Sequence, residues 1–315
     1  MTDVLSITAP IYLLIGLGYV AGRARLFAAA ELRVLGRFVL MFSMPALLFD
    51  AVSRRRLAEV LDPVYMTAYA VASVTLLLGG LAWARWRRGA PMSLAALQGL
   101  GMCSSNSGYV GYPVLQQLLG PAAGSVLALT VLVENLVVIP LGIALADAGG
   151  HGSVRRALVQ AFANLWRNPL VVAIVAGLVF ALFGLELPGP VQRTVSILAA
   201  AAAPVALFVI GGTLVGLQLE GVRGDLVRVV LGKLVLHPLA VLGMLWLLPP
   251  LPAHLHLGAV VLAAMPMMGI YPVLAQKHHH ERFCAAALLA ATVASFFTLS
   301  AGLWWLKRHP ELFGA

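Results

Sequence analysis

Two stretches of the chain combine residues that bend a backbone with residues that hold hydrogen bonds. One runs Gly101-Met-Cys-Ser-Ser-Asn-Ser-Gly-Tyr-Val-Gly-Tyr-Pro113, the other Ala264-Met-Pro-Met-Met-Gly-Ile-Tyr-Pro272. Proline removes a backbone donor and clashes with the turn before it, and glycine loosens the backbone further. A half-helix that starts at such a break presents free N–H groups and a partial positive charge, which suit an anion. Asn106, flanked by Ser105 and Ser107, is the first candidate for direct contact. Its amide both donates to a carboxylate and accepts from a protonated group. Its bland alternative is to cap a half-helix. Gly108 and Pro113 shape the first stretch, and Pro266, Gly269 and Pro272 the second, whose methionines offer an adaptable apolar wall. Either stretch alone reads better as a proline kink with no site; the matched pair is what points to one.

Glu134, followed by Asn135, is the one acidic residue near the centre of a long apolar run. A buried carboxylate costs several kcal/mol unless paired or protonated, so it is a candidate for ion coupling. It could carry a proton, join a cation site, or only hydrogen-bond the broken stretches. Lys233 and His237 lie four apart, on one helical face. Lys233 is expected to snorkel to the cytoplasmic end, and His237, before Pro238, to fill a freed backbone position. The run His278–His280 reads as a solvated loop, since three consecutive histidines do not preorganise a metal. Cys103 and Cys284 lack metal spacing and read as small apolar fillers. No metal or cofactor is expected.

The elements that must position these residues are membrane helices. Of 315 residues, 61% are hydrophobic and only 10% charged, against roughly 25% charged in soluble domains. The surface therefore faces lipid. The net charge of +9 sits in short clusters between apolar runs, where it suits anionic headgroups rather than nucleic acid. Apolar runs of membrane-spanning length fall near 4–22, 35–52, 64–84, 93–118, 123–146, 169–185, 191–217, 226–248, 255–276 and 283–306. The first, Val4 to Ala21, has no Lys or Arg before it and is expected to stay as a helix rather than be cleaved as a signal. With the N-terminus outside, fifteen of the Lys and Arg residues fall on the inner side and six on the outer, the cluster Arg54–Arg56 being the clear exception. Both termini are thus expected on the non-cytoplasmic side of the inner membrane.

A repeat organises these spans. Shifted by 159 positions, Pro10 falls on Pro169, Gly18 on Gly177, Pro45 on Pro204, and Tyr112-Pro-Val-Leu115 on Tyr271-Pro-Val-Leu274. Each repeat holds an odd number of helices, so the second is inverted relative to the first. The expected fold is all-α and integral to the membrane: ten transmembrane helices in two inverted five-helix repeats, 1–146 and 169–306, joined by a cytoplasmic loop over 147–168. The fourth and ninth spans, the broken ones, occupy matched positions. Matched breaks in inverted repeats mark a midplane binding site in secondary transporters, and irregular backbone at that depth must be buried or line a cavity.

The motifs resemble the auxin efflux carrier family, which includes bacterial permeases and plant auxin carriers. The likeness runs through Pro10-Ile-Tyr12, Arg37-Phe-Val-Leu-Met-Phe-Ser-Met-Pro45, Asn106-Ser-Gly-Tyr-Val-Gly-Tyr-Pro113, Arg167-Asn-Pro169 and Pro266 with Gly269-Ile-Tyr-Pro272 and Lys277. The plant carriers have a proline where this chain has Ser105, and one residue fewer between the ninth-span proline and glycine; both differences put auxin itself in doubt as the substrate. The resemblance implies a fold like sodium–proton antiporters and bile-acid symporters. The first, second, sixth and seventh spans would form a scaffold and the others a mobile core. It also implies a homodimer and a small organic anion such as malonate, malate or indole acetate as substrate; proton or sodium coupling would fall to Glu134 and Asn135.

A secondary carrier is therefore the leading expectation. A channel is an alternative, since broken helices also line pores. A membrane-embedded enzyme would need metal-binding acidic pairs or a Gly-x-Ser-x-Gly elbow, which the spans lack, and no nucleotide-binding Gly-x-x-x-x-Gly-Lys motif appears.

Overall fold

The computed structural model describes residues 2–55, 61–148, 155, 159–160, 163, 165–215 and 223–308. Most of the expected connecting loop 147–168 lies outside these residues, as does Arg56. Among the described residues all regular structure is helical. The helices are α1 (Thr2–Arg23), α2 (Ala29–Phe38), α3 (Met44–Ser53), α4 (Pro63–Arg88), α5 (Met92–Cys103), α6 (Tyr112–Leu119), α7 (Ala123–Val133), α8 (Ile139–Ala148), α9 (Pro169–Phe183), α10 (Gly189–Ala200), α11 (Ala202–Thr213), α12 (Arg223–Leu231), α13 (His237–Leu247), α14 (Ala253–Ala263), α15 (Tyr271–Ala275) and α16 (Glu281–Arg308). Among the described residues, six helical stretches are long and apolar enough to cross a membrane, including Ala29–Ser53, Pro63–Arg88 and Glu281–Trp305. Ala9–Arg23, Pro169–Phe183 and Ala253–Ala263 are shorter apolar helices.

Prolines shape these helices in a regular way. Widened π-turns occupy Val39–Ser43, Ser107–Gly111, Glu134–Val138 and Gly232–Leu236. Each is followed by a proline at the second position beyond it: Pro45, Pro113, Pro140 and Pro238. A proline ring clashes with the carbonyl four residues earlier, and in each case that carbonyl lies inside the widened turn. The helix makes room for the ring without ending. Such turns recur at functional sites, and here they hold Ser107, Glu134 and Lys233.

The chain forms two compact units, each drawing segments from both sequence halves. The first comprises Met1–Asp62, Ser107–Val131 and Trp166–Gly216. In it α1 crosses α11 at backbone contact. A Cβ on Gly18 would lie 1.9 Å from the Phe208 carbonyl oxygen, and one on Gly211 would lie 1.8 Å from that of Ile15. No larger residue fits at either crossing point. Helix α3 packs on α9 and α10, where Phe49 meets Phe180 edge to face at 5.1 Å and Gln192 Nε2 donates to Asp50 at 2.7 Å.

The second unit comprises Pro63–Asn106, Leu132–Leu165 and Leu217–Ala315. Helices α4 and α5 pack closely, and a Cβ on Gly99 would lie 2.3 Å from the Leu77 carbonyl oxygen. Tyr271, at the start of α15, is fully buried. Its hydroxyl donates to the Leu97 carbonyl of α5 at 2.7 Å, which fixes the end of one broken stretch against the helix that leads into the other.

Candidate functional site

Helix α5 ends at Cys103, and the chain is extended at Ser104, with φ −82° and ψ 135°. The next helix of the second break begins only at Tyr271, eight residues beyond Ala263. The two breaks meet: the backbone N–H of Asn106 donates to the Pro266 carbonyl at 2.7 Å. An interrupted helix leaves donors and acceptors that must find partners, and these breaks supply one to each other. The Asn106 side chain is 7% exposed and makes no hydrogen bond to protein among the described residues. Its Nδ2 points towards Gly269, whose Cβ, if present, would lie 4.0 Å away. Gly269 itself is exposed, while Met265, Met267 and Met268 beside it are buried.

Ser105 is the hub of a buried polar cluster. Its backbone N–H donates to Glu134 Oε1 at 2.8 Å. Its Oγ accepts from Lys233 Nζ at 2.8 Å and shares a hydrogen bond with Tyr69 Oη at 3.1 Å. Lys233 also donates to the Ala263 carbonyl at 2.6 Å and lies 2.9 Å from His237 Nδ1. His237 Nε2 is 2.9 Å from Ser73 Oγ, and its ring meets Tyr69 edge to face at 5.4 Å. Every side chain in the cluster is buried, with Lys233, His237, Tyr69 and Ser73 at 0% exposure. The Ala263 carbonyl lies at the C-terminal end of α14, where a helix favours a cation.

Lys233 therefore does not snorkel. The π-turn at Gly232–Leu236 and the carbonyl end of α14 draw its ammonium inward, and its charge leaves the inner-side count. Lys233, His237, Tyr69 and Ser73 are the members of the cluster that sequence reasoning missed. The available signal was a lysine and a histidine on one face of an apolar run, just before a proline.

The other expected residues fall as follows. Ser107, Gly108 and Pro113 belong to the first compact unit, whose boundary with the second lies between Asn106 and Ser107. Ser107 is 2% exposed. A Cβ on Gly108 would lie 3.0 Å from Met44 Cε, and Tyr109 Oη donates to the Gly36 carbonyl at 2.8 Å. Pro113 lies at the second position beyond the widened turn Ser107–Gly111, and Pro272 sits in the first turn of α15, where a missing N–H is harmless. Asn135 is half-buried beside Glu134.

Beyond the breaks, Asp147 accepts from Lys277 Nζ at 2.9 Å and lies 3.1 Å from His278 Nε2. His280 Nε2 is 3.2 Å from Ser93 Oγ. Burial, then the neighbouring His278, holds the His280 imidazole below the ordinary histidine range. Among the described residues no three His, Cys, Asp or Glu side chains are placed to hold a metal.

The family described as "Membrane transport protein" matches residues 3–303. A Rhizobium meliloti (strain 1021) protein named "Putative malonate transporter" is 30% identical over 322 residues, covering 99% of this chain and 98% of the relative. The Escherichia coli (strain K12) "Uncharacterized transporter YfdV" is 26% identical, covering 94% of each chain. A rice protein named "Probable auxin efflux carrier component 5c" is 32% identical over 145 residues, covering 42% of this chain and 38% of its own.

Proposed function

The chain belongs to the membrane transport protein family of auxin efflux carriers, and from that premise we propose that it is a secondary carrier moving a small organic anion by alternating access at its two helix breaks. The observation that carries the reading is the junction at Asn106. Two interrupted segments meet backbone to backbone, and a buried amide beside them has no protein partner among the described residues. The amide offers two N–H donors and a carbonyl acceptor to a ligand. A carboxylate supplies the acceptor that the amide donors lack. Ser105, Pro266, Gly269 and Pro272 of the same compact unit complete the binding region, with Glu134 and Asn135 as the ion-coupling side.

The name of the Rhizobium relative, with its near-complete coverage, makes malonate the first substrate to test; malate and auxin-like acids follow. The architecture is ten transmembrane helices in two inverted repeats, supported by the offset of 159 positions between matched motifs. The first, second, sixth and seventh spans act as the scaffold, a grouping supported by their place in one compact unit. Both termini face away from the cytoplasm across the inner membrane, and family resemblance supports a homodimer.

The test is counterflow in proteoliposomes with the purified full-length chain. Labelled malonate outside should enter faster when unlabelled malonate is inside, and the effect should saturate. A channel would show flux without acceleration from the far side. No uptake of malonate, malate or indole acetate would overturn the organic-anion reading.

A further inference from the structure

The fully buried Lys233 is not accounted for by anion binding at Asn106, since its ammonium points to Ser105, Ala263 and His237. An ammonium has three N–H donors and no acceptor, and three acceptors stand around it: Ser105 Oγ, the Ala263 carbonyl and His237 Nδ1. In that state His237 carries its proton on Nε2 and donates to Ser73 Oγ. The same geometry also satisfies the uncharged amine. His237 Nδ1 lies 3.2 Å from the Ala263 carbonyl, so the other tautomer donates there or to the amine lone pair, and Ser73 turns its hydroxyl to donate to Nε2. Changing the charge of Lys233 thus requires only a tautomer change and a hydroxyl rotation. No buried polar group loses its partner in either state, which is the main obstacle to titrating a buried group.

We propose that Lys233 is the proton-carrying residue of this carrier, and that Ser105 links its charge to substrate binding at Asn106. The inference rests on the organic-anion reading above. The amine takes a proton from water on the side of higher proton activity and becomes an ammonium. The ammonium supplies the positive charge that accompanies the bound anion. On the other side it returns the proton to water as the anion leaves. Glu134, held on the Ser105 N–H, is the fixed negative partner. The cluster is also faced by Tyr65 and Tyr69 of α4 and by Cys103 at the end of α5. Helix α14 carries His254 and His256 in its first turn. Helix α16, which packs on the same π-turn, carries Glu281, Arg282 and Cys284 in its own. Helix α12 carries Asp225 and Arg228, which pair with each other. Among the described titratable groups, His237 is the one that hydrogen-bonds the Lys233 nitrogen, and it can exchange tautomers without a net change of charge.

The experiment uses full-length protein in proteoliposomes, malonate as the probe, and membrane potential clamped at zero. One coupled proton per substrate supports about tenfold accumulation for each unit of pH gradient. Wild type should reach that ratio. Lys233→Met removes the proton site, and Lys233→Arg keeps the charge but does not release its proton at accessible pH. Both should retain malonate counterflow, yet accumulate no malonate above the outside concentration. Accumulation at the wild-type ratio by either variant would overturn the proposal. So would loss of counterflow in both variants while they remain monodisperse and bind malonate, because Lys233 would then be needed for movement itself. A wild type that exchanges malonate but follows a sodium rather than a proton gradient would overturn it too. A wild type that exchanges none of the carboxylates would overturn the organic-anion reading and this assignment with it.

Discussion

Ser105 joins the two charged residues of the cluster, and replacing it by alanine isolates what its hydroxyl contributes. Ser105→Ala leaves the backbone N–H on Glu134 intact and removes only Oγ, which accepts from Lys233 at 2.8 Å and pairs with Tyr69 at 3.1 Å. A lost hydrogen bond to a charged group costs about 1.5–3 kcal/mol, and a neutral one about 1 kcal/mol. The Tyr69 hydroxyl, on a fully buried side chain, loses its Ser105 partner. The expected destabilisation is therefore about 2.5–4 kcal/mol, read as the shift in equilibrium unfolding of the purified protein in mixed micelles. Tyr69→Phe should cost only about 1 kcal/mol. A double-mutant cycle between the two should return a coupling of about 0.5–1.5 kcal/mol, because both remove one shared bond. A Ser105→Ala protein within about 0.5 kcal/mol of wild type, the range of inconsequential surface changes, would refute its place as the hub.

Three further outcomes follow from the same geometry. Glu134→Gln keeps an acceptor for the Ser105 N–H but removes the fixed negative charge, so gradient-driven accumulation should fail while counterflow survives; normal accumulation would exclude Glu134 from coupling. Pro113→Ala closes the need for the widened turn at Ser107–Gly111, and should lower the transport rate more than substrate affinity, as seen by comparing initial uptake with equilibrium binding. Cysteines introduced near Gly120 and Pro252 should react with an impermeant thiol reagent from outside, and those near Arg87 and Arg223 should not; the reverse pattern would invert the orientation.

Much of the backbone plan is legible in the sequence, because it follows from residue types acting locally. The breaks at Ser104–Asn106 and after Ala263 stand where glycine, proline and polar residues interrupt apolar runs. The apolar run read at 64–84 is the helix Pro63–Arg88. The π-turns sit just before prolines for a steric reason that sequence contains, although their register does not appear in hydropathy. What the sequence hides is partnership across distance. Glu134 was recognisable as a buried carboxylate, but its partner, the N–H of Ser105, is a backbone group 29 residues away. Position along a helix alone sends Lys233 to the surface, whereas its fate depends on which face it occupies and on a carbonyl 30 residues further on. Hydropathy also treats the fourth span as one object, although the compact units part between Asn106 and Ser107.

The central claim is that the buried amide of Asn106 holds the substrate anion, and its most direct test is the affinity of Asn106→Ala for malonate and the other accepted carboxylates, measured by calorimetry on the purified protein. The amide contributes one hydrogen bond to a charged partner, so the expected loss is about 1–3 kcal/mol, or roughly 5-fold to 150-fold in Kd, with the fold intact and the Asn106 N–H still on the Pro266 carbonyl. Wild-type affinity and wild-type counterflow by Asn106→Ala for every carboxylate that the native protein accepts would contradict it.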